Sequence, residues 1–430
     1  MLRELRAGGI ESARATELRG ELEGAGVDWR SFLTPIRGST SDAPLLGEAP
    51  KNHTLRQIAQ KLNLVRGLRQ ILAIPDGAED LAADGSVLDS AFFTNRDVSR
   101  VSPDDLRRAL AEQAPQGAIA LVEPKTSGTS EGFIGKDESG DLFIFVLDPP
   151  DFPEMSTAAE VIGSTIVRLA GYNVPYPTIV RLDSLTVAPE GVEEGLGPGD
   201  AERFEGRRAV ATRMIAEGFR GEWTYWVFRE RRELRALHVF GAWLNNTDQV
   251  DHNTLVEVFD EEAGLVRYWV IDFSGALGAS SARVKDPWDG WINNQFDLHW
   301  GLTWPLRLLA TPFGFRVPWD PAQPVVSPAV GRFDAKLDPR AWKPFYPNLA
   351  YEDMEEADAE WAARIVGEFS DELIDAIVEL ARYSRPEDAG YVADTLKRRR
   401  DVVVEAYLGG NRDGVPRGGA LDSPRRRSGP

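Results

Sequence analysis

The sequence predicts an α+β fold in two lobes, a small β-rich lobe followed by a larger helical one, behind a helical N-terminal extension. Three observations carry this reading. Short apolar runs separated by turn sequences crowd residues 118–222, segments of helical period dominate 223–408, and residues 1–117 space their apolar positions loosely among charges. At 430 residues and 42% hydrophobic content, the chain is long enough to fill two cores.

The elements follow in order. Residues 53–65 place apolar side chains at helical spacing, and Ser102 before Pro103, Asp104 and Asp105 reads as an N-cap opening another helix. Residues 118–123 form an apolar strand run. Residues 133–136 and 141–147 flank the turn sequence Asp137-Glu-Ser-Gly140 and read as a hairpin, ended by Pro149-Pro150. A helix over 157–170 stops at Gly171. Strands are expected at 178–182 and 208–215, with the Gly- and Glu-rich stretch 183–206 as an exposed loop or hairpin insertion. An apolar helix spans 230–244, and strands at 254–259 and 266–271 surround an acidic turn. Residues 286–332 are rich in Pro and Trp and read as irregular, the Trp side chains as core material. Helices follow at 353–369, 371–383 and 386–407, and the run Lys397-Arg-Arg-Arg400 reads as a solvated helix face. The Gly/Arg/Pro-rich stretch 409–430 reads as a disordered tail.

The charge balance narrows the classes of function. With 49 basic and 68 acidic residues the net charge is −19, a field that repels nucleic acid and anionic membranes. A nucleotide is disfavoured by the same field, so a nucleotide site needs local cations or a metal. The absence of cysteine excludes disulfides, Cys-ligated zinc, iron–sulfur clusters and a Cys nucleophile. The four histidines form no His-Glu-x-x-His pattern, which argues against a zinc hydrolase. The first residues contain no apolar signal core and no stretch of 18 apolar residues occurs, so a soluble, cytoplasmic protein is expected unless the start omits a leader.

The segment Leu244-Asn-Asn-Thr-Asp248-Gln-Val-Asp-His-Asn253-Thr-Leu255 carries the strongest chemical signal. It follows an apolar helix and precedes a strand, and it sets Asp248 and Asn253 five apart; Tyr268-Trp-Val-Ile-Asp272-Phe-Ser-Gly275 then puts an Asp-Phe pair at a strand end. Phosphoryl transfer from ATP needs such parts. One carboxylate orients the attacking hydroxyl, while an amide oxygen and a second carboxylate hold divalent metal on the phosphates. The protein-kinase pattern His-Arg-Asp-x-x-x-x-Asn followed by Asp-Phe-Gly has the same Asp-to-Asn spacing. Here the His-Arg pair is missing and Ser274 replaces the glycine. A plainer reading stays open beside it: Asp248 and Asn253 as turn caps, Asp272 as a strand-end turn residue, Glu160 as a solvated helix acid and His252 as a loop hydrogen-bonder.

These stretches, with others, resemble a group of bacterial proteins with a divergent kinase fold, similar in outline to HipA-type and CotH-type kinases. The resemblance covers about residues 89–407, through Asp89-Ser-Ala-Phe-Phe-Thr-Asn-Arg96, Asp148-Pro-Pro-Asp-Phe-Pro-Glu-Met155, Ala159-Glu160-Val161 and Leu169-Ala-Gly-Tyr-Asn-Val-Pro175. It continues through Phe240-Gly-Ala-Trp-Leu-Asn245, Ile271-Asp-Phe273, Val330-Gly-Arg-Phe333, Trp342-Lys-Pro344 and Tyr383-Ser-Arg-Pro-Glu387. It implies a two-lobed protein-kinase-like fold with lobes at 118–222 and 223–408. Asp248 would be the catalytic aspartate, Asn253 and Asp272 the metal ligands, and Glu160 the helix glutamate that pairs with a strand lysine. Gly128 and Gly132 would lie in the hairpin covering the phosphates. Two positions depart from the pattern: Val146 stands where relatives carry a strand lysine, and Val250 where they often carry a cation after the catalytic aspartate. Lys136 or Lys125 could supply the missing charge. The resemblance implies a phosphotransferase using ATP with Mg²⁺ or Mn²⁺, the nucleotide lying between the lobes near residues 216–223, and a protein or small molecule as acceptor. The alternative is a pseudokinase that binds a nucleotide or protein without turnover, with neither nucleic acid nor membrane as partner.

Overall fold

The computed structural model describes residues 1, 13–33, 77–126, 128, 130–214, 221–280, 283–285, 325–344 and 348–409. The expected helix at 53–65, the Trp-rich stretch from 286, most of the expected hinge and the tail beyond 409 lie outside the described residues. Within them the expected two-lobed α+β order is observed: a sheet-rich lobe, then a helical lobe carrying one two-stranded hairpin.

The first lobe is built on strands β1 (Ile119–Pro124), β2 (Gly132–Lys136) and β3 (Leu142–Leu147). Helix α3 (Met155–Leu169) leaves β3, and β4 (Pro177–Arg181), β5 (Leu185–Val187) and β6 (Arg208–Arg213) complete the sheet in the order β4-β6-β3-β2-β1-β5. Alternation along β3 sorts its side chains. Phe143, Phe145 and Leu147 face an outer core with Leu121, Phe133 and Phe204, where Phe133 stacks on Phe145 at 4.8 Å. Val146 faces the other way, against Val161 of α3, Ile179 and Val210. The turn between β2 and β3 is held by Asp137, whose carboxylate accepts from the Ser139 and Asp141 amides. Asp148 does the same for α3, accepting from the Ser156 and Thr157 amides, both at 2.9 Å.

The 183–206 stretch is not an exposed loop. It forms β5, parallel to β1, and two short helices, α4 (Pro189–Glu193) and α5 (Pro198–Phe204). Burial of Phe204 against Phe133 explains the difference, because an aromatic anchor can hold a Gly-rich segment on a sheet.

In the second lobe, helix α6 (Arg232–Leu244) is buried on all sides. The hairpin β7 (Thr254–Asp260) and β8 (Leu265–Val270) follows it. Helices α7 (Leu349–Glu352), α8 (Glu356–Gly367) and α10 (Pro386–Leu408) pack on α6, and α9 (Asp371–Leu380) packs on α10 and α3. The basic run 397–400 is not a solvated face. Arg399 is 4% exposed, and its guanidinium donates to the carbonyls of Trp243 (2.7 Å) and Ala242 (2.5 Å) at the end of α6. A cation suits a helix C-terminus, where unpaired carbonyls concentrate negative charge.

The N-terminal extension contributes α1 (Ala13–Gly24) and α2 (Pro103–Ala111), with Ser102 capping the latter as expected. Residues 77–101 depart from the helical expectation and hold a single 3₁₀ turn, Val98–Arg100. Ala91, Phe92 and Phe93 are buried in the main core, and this stretch bonds both lobes: Thr94 N–H donates to Gly171 O, and Tyr268 N–H to Ala91 O, each at 2.9 Å. These backbone groups replace a regular ladder, which is why no periodicity announced them.

One buried acid gives this framework a pH dependence. Glu233 is fully buried, accepting from Ser90 Oγ at 3.0 Å and Arg231 Nε at 2.7 Å. Burial, opposed by Arg231 and reinforced by Asp80, raises its pKa from the ordinary 4.5 to about 8. Between those values the folded chain keeps a proton that the unfolded chain has released, so this contribution is complete below 4.5 and is lost as pH rises towards 8. Glu233→Gln is expected to flatten the fall in melting temperature over that window, removing a dependence on the order of a few kcal/mol. An unchanged slope in a pH series of thermal melts would show that Glu233 does not hold its proton.

Candidate active site

Helix α6 ends at Asn245, whose φ of 49° is left-handed and turns the chain out of the helix. The following loop carries Asp248 and Asn253 and runs straight into β7. Asn253 is 9% exposed, and its amide Nδ2 donates to the Asp248 carbonyl at 2.6 Å. That bond closes the five-residue spacing into a loop and turns the amide Oδ1 away as the acceptor end.

The β7–β8 pairing returns the chain to the same place. Thr254 pairs with Val270, and Ile271 N–H donates to Asn253 O at 3.0 Å, so Asp272 emerges beside the loop. Asp272 is exposed and has a φ of 61°, a left-handed conformation that Asp tolerates better than most residues. Ser274 explains its departure from the kinase glycine: its hydroxyl (2.5 Å) and amide (3.2 Å) both donate to Asp272 Oδ1. One carboxylate oxygen is thereby oriented and the other is left to face outward. A Cβ on Gly275 would stand 3.5 Å from Cβ of Asp248, so the two acidic segments are neighbours in space.

The charges register this proximity. Burial and then the charge of Asp272 raise the pKa of Asp248, against the lowering effect of Lys285. Glu160 on α3 accepts from the Phe273 amide at 2.5 Å and from Ser164 Oγ at 3.1 Å. Withdrawal from water, with Asp272 alongside, raises its pKa to about 8. Helix α3 approaches this turn closely at Gly163, where a Cβ would fall 2.8 Å from that of Phe273. Glu160 therefore holds the backbone after Asp272, not a strand lysine as the resemblance implied.

A cation does reach the site from the sheet lobe, and it is Lys125 rather than Lys136. The β1–β2 register shifts between Leu121 and Glu123. Leu121 faces the outer core, and without the shift Lys125 would face it too; a one-residue bulge turns the end of β1 to the opposite face. There the stem of Lys125 crosses Gly132, whose own Cβ would lie 3.1 Å from Lys125 Cδ and 2.2 Å from the Phe145 carbonyl. Lys125 Nζ donates to Ser130 O at 3.0 Å, and the charge of Asp272 acts on it against the lowering effect of burial. Lys136 lies at the far end of β2 in an ion pair with Glu190 of α4 at 2.9 Å. Gly132 and Gly128 both border the Lys125 side chain: a Cβ on Gly128, whose φ is 74°, would stand 3.1 Å from Nζ. His252 is exposed at the loop edge, with Nδ1 2.9 Å from Glu222.

Sequence reasoning missed Lys285. It is 5% exposed, and its Nζ donates to Asn245 O at 2.9 Å and to Gly275 O. No local pattern could have announced it, since it arrives from a turn 32 residues after Asn253. Ser274 had a signal, a hydroxyl two residues after an Asp at a strand end. Among the described residues no three His, Asp or Glu side chains converge as a metal cluster, and no helix is long and apolar enough to cross a membrane. The candidate site is two carboxylates and one amide, with Asp272 and Asn253 as the candidate metal ligands and Asp248 beside them.

No family model matches the chain, and no curated protein does. Among solved structures, the crystal structure of the Helicobacter pylori proinflammatory kinase CtkA aligns at a TM-score of 0.38 and 10% identity, covering 69% of this chain and 98% of that one.

Proposed function

We propose that the chain is a kinase-like phosphotransferase that uses ATP with Mg²⁺ or Mn²⁺ and passes phosphate to a protein or small-molecule acceptor. The observation that carries the reading is the meeting of Asp248, Asn253 and Asp272 from the helical lobe with Lys125 from the sheet lobe. The donor set fits a hard divalent cation, which prefers carboxylate and amide oxygens. Asp272 and Asn253 would hold the metal, which when bound neutralises phosphate charge. Asp248 would accept the proton of the attacking hydroxyl; a pKa raised by burial suits a base better than that of a solvated carboxylate. Lys125 would neutralise a phosphate oxygen from the sheet side, and Glu160 would keep the Asp272 turn in register through the Phe273 amide.

A second reading, a pseudokinase, is favoured by Val146 and by Glu160 being engaged with backbone. A thermal-shift titration with ATP, with and without Mg²⁺ or Mn²⁺, separates binding from none, because a ligand bound to the folded state raises apparent stability by mass action. A metal-dependent shift accompanied by phosphate release or transfer is the expected result. A shift without turnover selects the pseudokinase, and no shift with any nucleotide defeats the phosphotransferase reading and leaves a pseudokinase only as a protein-binding module.

A further inference from the structure

We propose that Lys285 is a positioning residue of this site: its ammonium ties the Asp248 loop to the Asp272 turn and fixes the spacing of the two carboxylates. The proposal rests on the phosphotransferase reading for its purpose, but its geometry stands without it. Lys285 Nζ donates to the carbonyl of Asn245, the residue ending α6 three positions before Asp248, and to that of Gly275, three positions after Asp272. One side chain thus bridges both halves of the site from behind.

A neutral donor could satisfy two carbonyls, so the choice of a cation needs a reason. Three negative features converge here: the C-terminal end of α6, Asp248 and Asp272. Two carboxylates brought together repel each other, and a fixed positive charge between their segments offsets that repulsion. Within this loop no lysine or arginine supplies it: Val250 stands two residues after Asp248, and the nearby His252 is exposed against Glu222. Lys285 supplies the charge from outside the loop, and burial holds it in one place.

The lysine is itself braced. Its N–H donates to Gly278 O at 3.0 Å, and its carbonyl accepts from Arg332 Nε at 3.1 Å. Gly278 and Gly331 touch backbone to backbone: a Cβ on Gly278 would lie 2.1 Å from Arg332 O, and one on Gly331 2.3 Å from the Gly278 carbonyl carbon. The stretch Val330-Gly-Arg-Phe333 therefore acts as the support on which Lys285 is mounted.

The test compares Lys285→Met and Lys285→Arg with wild type by amide hydrogen exchange in the metal-free protein and by Mn²⁺ affinity from electron paramagnetic resonance. Lys285→Met is expected to speed exchange about 10-fold in both 245–248 and 274–277 and to weaken Mn²⁺ binding by a similar factor, the loss of charge-assisted bonds to two carbonyls. Exchange in the first-lobe sheet and in α8 and α10 should not change. Lys285→Arg, which can donate to both carbonyls, should restore both readouts. If Lys285→Met does not fold, Lys285→Gln replaces it, being shorter and uncharged, with the same losses expected. Unchanged exchange in either segment, or wild-type Mn²⁺ affinity in the Met or Gln variant, overturns the proposal. A wild-type protein that takes up no Mn²⁺, with or without ATP, defeats the proposed function, and with it any metal-positioning role for Lys285, before a variant is made.

Discussion

Asp272→Asn is expected to abolish the Mg²⁺-dependent thermal shift with ATP and to cut phosphotransfer on the order of 10³-fold, the scale of losing a main electrostatic anchor in phosphoryl transfer. The fold should survive. Asn tolerates the left-handed conformation found at this position, and its side-chain oxygen can still accept from Ser274. What is lost is the negative charge on the outward-facing atom, which a divalent cation needs more than a dipole. Relieving the like charge beside Asp248 and Glu160 should leave unliganded stability equal or slightly higher, since Asp272 raises the pKa of both. A melting curve for the metal-free variant that falls well below wild type would mean that Asp272 is chiefly a structural turn residue. A full ATP and Mg²⁺ shift in the variant would remove it from the metal set.

Asp248, Asn253 and Asp272 were legible in the sequence because their grouping depends on short-range geometry. A five-residue loop closed by one amide bond and a two-stranded hairpin bring them together, and both devices leave spacing signals. Val146 was placed on a strand through the resemblance, and alternation along β3 sets its side chain on the face opposite Phe145. Lys125 and Lys136 could not be told apart, because a single bulge in β1 decides which face the strand end presents. Glu160 looked like half of a lysine pair, whereas its partner is an amide brought from 113 residues away. Arg399 misled in the opposite direction: inside a run of four cations it looked solvated, yet the unpaired carbonyls that end a buried helix need a donor. Lys285 and the 89–94 strap are tertiary facts. They bond to backbone carbonyls and amides, and those groups are identical at every position of a sequence.

The Lys125 site gives the sharpest test between an active enzyme and a pseudokinase. Lys125 and Val146 share one face of the sheet, on either side of Gly132, which pairs with Val146 and underlies the Lys125 stem. On the phosphotransferase reading, Lys125 would take the place of the strand cation absent at 146, reaching over Gly132 from the end of β1. Lys125→Ala is expected to lower phosphotransfer about 10²-fold and to weaken ATP binding, the scale of removing one preorganised charge from a transition state. Stability should change little, because the side chain is only partly buried. Val146→Lys alone should cost several kcal/mol in stability, since it places an ammonium among Val161, Ile179 and Val210. In the Lys125→Ala background the same substitution has a second consequence. A lysine at 146 that can extend from that apolar patch into the cleft restores part of the lost nucleotide response, as only a cation on the shared face could. Rescue in the double variant, with loss in Lys125→Ala alone, supports a relocated phosphate-binding lysine. If Lys125→Ala keeps full ATP-dependent stabilisation and turnover, Lys125 contacts no phosphate. A gain of turnover in Val146→Lys over an inactive wild type would instead identify a pseudokinase silenced at that strand.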